Sequence, residues 1–189
     1  MDAGVVAGAV AALRAGGVVA LPTETVYGLG ASLAEPGAIA RVYAIKGRPP
    51  EHPLIVHVAD VDALDGYVAE ITPALRALGA RFWPGPLTAI VSRGARTPRA
   101  VTGGADTVAV RVPDHPLTLA ILRGLGGAVA APSANRFGRV SPTTAQHVRD
   151  DLGAAVDVVV DGAIDARGSL PLIVVGFGLL VASFGRKWS

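Results

Sequence analysis

Val18-Val19-Ala20-Leu21-Pro22-Thr23-Glu24-Thr25-Val26-Tyr27-Gly28-Leu29-Gly30 changes character in its middle. The first four residues are aliphatic and read as a short buried strand. Pro22 closes it, because proline has no N–H to give to a sheet ladder. Two hydroxyls, a carboxylate and a phenol then crowd into the next five positions, followed by Gly28 and Gly30. A strand that runs out into a polar, glycine-punctuated loop is a common place to build a ligand site.

Outward from that strand, helical and extended patterns alternate. Val5, Val6, Ala9 and Leu13 recur at helical spacing, with Asp2 placed to cap the helix and Gly16-Gly17 to end it. Pro36 stands where a first helical residue would, and Ile39, Val42 and Tyr43 make one face up to Gly47. Leu54–Val58 reads as a strand with His57 as its abrupt polar member. Thr72-Pro73 opens a helix ending near Gly79, and Leu87–Val91 and Thr107–Val112 are strands. Pro116–Leu122 reads as a helix, Ala128–Ala131 as a short strand, and Thr143 as the cap of a helix carrying Ala145, Val148 and Leu152. Val156–Val160 is a strand closed by Asp161-Gly162. Strands alternating with helices of about 8–12 residues indicate an α/β or α+β sheet with helices packed on it.

A chain of 189 residues is expected to form one domain, residues 1–189, and its 51% hydrophobic content can fill one core. With no cysteine, a thiol nucleophile and a zinc-thiolate site are excluded. A net charge of +2 is too small to argue for nucleic-acid binding. Met1-Asp2-Ala3-Gly4 lacks the basic region of a secretory signal, so cytoplasm is the expected compartment. The uncharged run from Gly168 to Gly185 reaches the lower length for a membrane span, but its glycines and Pro171 favour a core strand pair or an abnormal apolar terminus.

Four segments carry candidate chemistry. Lys46 and Arg48 put two cations in a stiff loop before Pro49-Pro50, suited to phosphate or carboxylate oxygens, or else to capping a helix and facing water. Ser133 and Asn135 follow a buried strand and supply neutral donors, or else a plain turn. His57 among aliphatic neighbours is either a hydrogen-bonded core residue or a site residue. Arg111, between Val110 and Val112, needs an anion if it is buried. The four histidines lack ligand spacing, so no metal site is expected, and there is neither a Gly-x-x-x-x-Gly-Lys-Ser/Thr loop nor a Gly-x-Ser-x-Gly elbow.

Together these segments resemble the YrdC/Sua5 family, the threonylcarbamoyl-AMP synthases of tRNA modification. The resemblance covers about residues 5–162. It rests on Pro-Thr-Glu-Thr-Val-Tyr-Gly-Leu-Gly at 22–30, Lys-Gly-Arg-Pro at 46–49 with His-Pro-Leu-Ile-Val-His at 52–57, Phe-Trp-Pro-Gly-Pro-Leu-Thr at 82–88, Val-Arg-Val-Pro at 110–113 and Ala-Pro-Ser-Ala-Asn at 131–135. It implies an α/β fold, a twisted open mixed sheet with flanking helices and a concave face. It also implies formation of L-threonylcarbamoyl-adenylate and pyrophosphate from L-threonine, bicarbonate and ATP, with Mg²⁺ carried mainly by ATP. A downstream transferase would then modify adenosine 37 of tRNA. By the same resemblance Thr25, His57, Arg111 and the backbone at Ala131 hold L-threonine, and Lys46, Arg48, His52, Thr107, Ser133, Asn135 and Ser141 match ATP-holding positions. Of these, Lys46, Arg48, Ser133 and Asn135 are the catalytic set. The alternatives are a non-catalytic RNA- or nucleotide-binding relative, and a carbamoyl-adenylate domain for another acceptor.

The chain departs from the family pattern in two places. His52 stands where relatives usually carry Asn. Beyond Gly162, residues 163–189 form an atypical apolar tail: Gly168-Ser169-Leu170-Pro171-Leu172-Ile173-Val174-Val175 replaces Gly-x-x-Ser-Thr-Ile-Val-Asp, and Arg186 is a poor match for a later ATP-contacting Arg. A change of reading frame near residue 163 and natural divergence both account for such a tail. Recovery of Ser-Thr-Ile-Val from another frame of the coding DNA decides between them.

Overall fold

A computed structural model of the chain describes residues 2–164 and the strands at 172–175 and 181–183. Five helices and nine strands are described: α1 (Ala3–Arg14), β1 (Val19–Pro22), β2 (Tyr27–Ser32), α2 (Pro36–Lys46), β3 (Ile55–His57), α3 (Pro73–Phe82), β4 (Leu87–Ser92), β5 (Thr107–Arg111), α4 (Pro116–Leu125), β6 (Val129–Ala130), α5 (Ala145–Leu152), β7 (Val158–Val159), β8 (Leu172–Val175) and β9 (Val181–Ser183).

The helix ends follow local chemistry. The Asp2 carboxylate accepts from Gly4 N–H at 2.8 Å and caps α1. Pro36 starts α2, and Gly47 ends it at φ +60°, a left-handed conformation that glycine adopts without steric cost. The Thr72 hydroxyl accepts from Leu75 N–H at 3.2 Å and opens α3. The cap of α5 is Thr144 rather than Thr143, its hydroxyl accepting from His147 N–H at 3.1 Å. Both residues have capping side chains, so register decides: Thr144 stands directly before Ala145, the first helical residue, within reach of the N–H three positions on. The helix α3 runs on through Gly79 to Phe82, with the Trp83 ring packed 3.0 Å from where a Cβ at Gly79 would sit.

All nine strands join one open, mixed sheet in the order β7-β1-β2-β6-β3-β5-β4-β8-β9. The pairs β1/β7, β3/β5 and β4/β8 are parallel. The other five are antiparallel, including the hairpin that pairs Pro22 with Tyr27 and Val19 with Gly30. The polar, glycine-punctuated stretch after Pro22 is therefore a loop only over residues 23–26. It then becomes β2, which the sequence pattern hid. Tyr27, Leu29 and Ala31 alternate inward, as a strand requires. The glycines between them are there because neighbours come close: a Cβ at Gly30 would lie 2.9 Å from both Leu21 Cδ1 and Val129 Cγ1.

Alternate residues of β1 feed two cores. Val18 and Ala20 join Tyr27, Leu29, Val56 and Val110 on one face of the sheet. Val19 and Leu21 join Ala9, Leu13, Ile121 and Leu122 of α1 and α4 on the other. The described residues of the apolar tail include two strands, with Leu87 beside Leu172 in β4/β8 and Leu172 beside Ser183 in β8/β9. Pro171 and Arg186 lie outside the described residues. Among the described residues, no helix is long and apolar enough to cross a membrane.

Gly30→Ala would force a methyl between Leu21 and Val129 in the core beneath α1 and α4. Overpacking of this kind costs about 1–3 kcal/mol, and the urea midpoint of Gly30→Ala is expected to fall accordingly with an unchanged m-value.

Candidate functional site

Several strand ends open into one cleft of about 450 Å³. The parallel register of β3 and β5 sets His57 beside Arg111. The β1–β2 turn supplies Thr25, the chain after β6 supplies Ala131 and Ser133, and Arg48 and Ser141 come from two further loops. Seven of the expected site residues thus share one cavity: Thr25, Arg48, His57, Arg111, Ala131, Ser133 and Ser141.

The turn is built by Thr23. Its hydroxyl donates to the Val26 carbonyl at 2.6 Å and accepts from the N–H groups of Thr25 and Val26 at 3.2 Å. Such a side-chain turn satisfies the backbone locally and fixes the direction of Thr25. Thr25 is also 3.0 Å from the Thr23 hydroxyl.

Arg111 is 5% exposed. The anion that a buried Arg111 needs is supplied by the chain itself. The guanidinium donates to the Glu24 carboxylate at 2.6 Å, to the Thr25 hydroxyl at 3.3 Å and, through Nε, to the Gly85 carbonyl at 3.2 Å. The second Glu24 oxygen accepts from Asp114 N–H at 3.0 Å. A buried guanidinium is tolerated only with such partners. Glu24 is the residue missed by sequence reasoning. Its signal was the need of Arg111 for a countercharge, with a carboxylate standing next to Thr25.

His57 is buried, and its Nδ1–H donates to the Ile55 carbonyl at 3.3 Å. Burial first, then the neighbouring Arg111 charge, pulls its pKa down to about 3. It is therefore a neutral imidazole near neutral pH, presenting Nε2 as an acceptor.

Lys46 does not line the cleft. Its ammonium is buried and donates to the backbone carbonyls of Ser133 and Asn135. Burial, helped by Arg48, lowers its pKa to about 8. The Asn135 amide donates to the Arg136 and Arg139 carbonyls at 2.7 and 2.8 Å, while its oxygen is buried without a protein partner. Lys46 and Asn135 thus hold the loop that presents Ser133. The same loop is strapped to β2, with Leu29 N–H donating to the Pro132 carbonyl at 2.7 Å and Ala134 N–H to that of Tyr27 at 2.8 Å.

Arg48 reaches the cleft from an exposed loop, donating to the His52 and Pro53 carbonyls at 3.3 and 3.1 Å. His52 itself sits outside the lining, edge-on to Phe137. Thr107 also lies outside it, exposed at the start of β5, four residues before Arg111. No group of three or more His, Asp or Glu side chains able to hold a metal occurs among the described residues. The cleft's cations and hydroxyls suit oxygen anions instead.

Two stability measurements test this geometry. Glu24→Ala leaves a buried guanidinium unpaired, and the expected loss is about 3–5 kcal/mol; Arg111→Met added to it is expected to recover much of that loss in urea denaturation. For His57 the folded pKa lies below its unfolded value of 6.5. The unfolded chain then binds the extra proton, so stability present above pH 6.5 is lost as pH falls toward 3. His57→Gln is expected to flatten the stability–pH curve across that window.

The family model described as Sua5_yciO_yrdC, telomere recombination, matches residues 11–176, past Gly162 and through β8. A threonylcarbamoyl-AMP synthase of Bacillus subtilis is 49% identical over 159 residues, which cover 83% of this chain and 46% of that protein. One from Pyrococcus abyssi is 45% identical over 150 residues, covering 79% of this chain and 44% of that protein. The chain therefore spans less than half the length of these two relatives. The crystal structure of P. abyssi Sua5 complexed with L-threonine superposes with a TM-score of 0.86 at 40% identity, over 90% of this chain and 50% of that one. With the motifs, the nine-stranded sheet and the family match in agreement, the chain belongs to the Sua5/YciO/YrdC family.

Proposed function

We propose that the chain forms L-threonylcarbamoyl-adenylate and pyrophosphate from L-threonine, bicarbonate and ATP. One observation carries the reading: a single cleft is lined both by Arg111, Thr25 and neutral His57 and by Arg48, Ser133 and Ser141. The first group suits an amino acid, with the guanidinium edge not used by Glu24 taking the carboxylate. The second suits phosphates, with Arg48 as the charge and the hydroxyls as orienting donors. Further support comes from relatives that carry this activity's name and from the L-threonine complex of P. abyssi Sua5.

In this reading the threonine amine condenses with bicarbonate, losing water, and a carbamate oxygen attacks the α-phosphorus as pyrophosphate leaves. The carbamate is labile in water, so a recessed site favours its survival. No covalent nucleophile is needed, and positioning does most of the work. Lys46 and Asn135 contribute by holding the Ser133 loop, and Ala131 by its backbone. His52 and Thr107 remain proposed ATP neighbours at the periphery. Mg²⁺ would enter on the ATP phosphates and help neutralise their charge, because the cleft offers it no carboxylate cluster. The product's consumer would be a tRNA threonylcarbamoyl transferase in the cytoplasm, with tRNA the final acceptor.

Pyrophosphate release is expected to require L-threonine and bicarbonate together, and Arg48→Ala to lower kcat/KM by about 100-fold. Release from ATP that ignores either substrate overturns the assignment.

A further inference from the structure

Phe137 is 46% exposed, although most large apolar side chains of the described residues are buried. It lies outside the cleft lining but neighbours it through Arg48. Arg48, which lines the cleft, has its Cζ 5.8 Å from the Phe137 ring centroid. His52 meets the ring edge-on, with centroids 5.3 Å apart and planes at 69°. Four residues further on, Ser141 lines the cleft again.

The ring is held firmly on its backbone. Phe137 N–H donates to the Lys46 carbonyl at 2.7 Å. Asn135 pins the carbonyls on both sides at Arg136 and Arg139, and Arg139 pairs with Asp151 at 2.8 Å. A half-exposed aromatic ring on a fixed loop, backed by a second ring and flanked by a guanidinium, has the chemistry that stacks a nucleobase. Its position beside the proposed phosphate groups, Arg48 and Ser141, matches a base joined to those phosphates.

We propose that Phe137, backed by His52 and flanked by Arg48, is the stacking platform for the adenine ring of the nucleotide. The platform rests on the nucleotide reading of the cleft and extends it to the base.

The test compares wild type, Phe137→Ala and Phe137→Trp. Loss of one base stack corresponds to about a tenfold rise in KM for ATP. Phe137→Ala is expected to show that rise with KM for L-threonine unchanged, and Phe137→Trp to restore the wild-type value. An unaltered KM for ATP in Phe137→Ala overturns the platform. A second measurement needs no turnover: intrinsic fluorescence of Phe137→Trp titrated with ATP or with inorganic tripolyphosphate. Quenching by ATP alone supports the stack, even if wild type fails to release pyrophosphate with threonine and bicarbonate and the functional reading falls. Equal effects of both compounds, or none, overturn it. Quenching by a short single-stranded RNA without quenching by ATP also overturns it and reassigns the ring to RNA.

Discussion

A guanidinium buried at the end of β5 is the constraint around which the cleft is arranged. Arg111 at 5% exposure would carry an intolerable desolvation cost alone. Glu24 meets it at 2.6 Å, and the same carboxylate reaches Asp114 N–H. One side chain thereby ties the β1–β2 turn to the chain leaving β5. The turn cannot shift without unpairing the arginine, so Thr25 is fixed relative to His57, which β3 holds beside Arg111 in parallel register. The electrostatic consequence is local: Glu24 supplies the countercharge, while Nε and the second amino group of the guanidinium are taken by Gly85, Glu24 and Thr25.

The Ser133 segment of the cleft depends on a second buried cation. Lys46, at the last turn of α2, gives its ammonium to two carbonyls of the segment after β6. That segment also hydrogen-bonds β2 through Leu29 and Tyr27. Ser133 is thus held from α2 and from the sheet together. A lysine so held positions the Ser133 segment, and its burial pulls its pKa down to about 8.

Elements with strong local signals were legible from the sequence. Asp2, Pro36, Gly47 and Thr72 mark helix ends by side-chain chemistry that acts within a few residues. The strand β2 was not legible, because Gly28 and Gly30 look like loop residues until Val129, Leu21 and Ala131 are seen crowding them. In the site, Thr25, His57, Arg111 and Ser133 were legible as residue types that need partners. The identity of those partners was not. Glu24 lies 87 residues from Arg111, and Lys46 lies 87 and 89 residues from the carbonyls it holds. Separations of that length are set by the order β1-β2-β6-β3-β5, which no local pattern encodes.

The apolar tail separates scaffold from chemistry. Leu172-Ile173-Val174-Val175 is a continuous aliphatic run whose backbone lies parallel to β4, in register with Leu87–Ile90. The family match runs through it to residue 176. What the described part of the tail supplies is the ladder on β4. The hydroxyls that the cleft brings to its proposed substrates, those of Thr23, Thr25, Ser133 and Ser141, all stand before the tail.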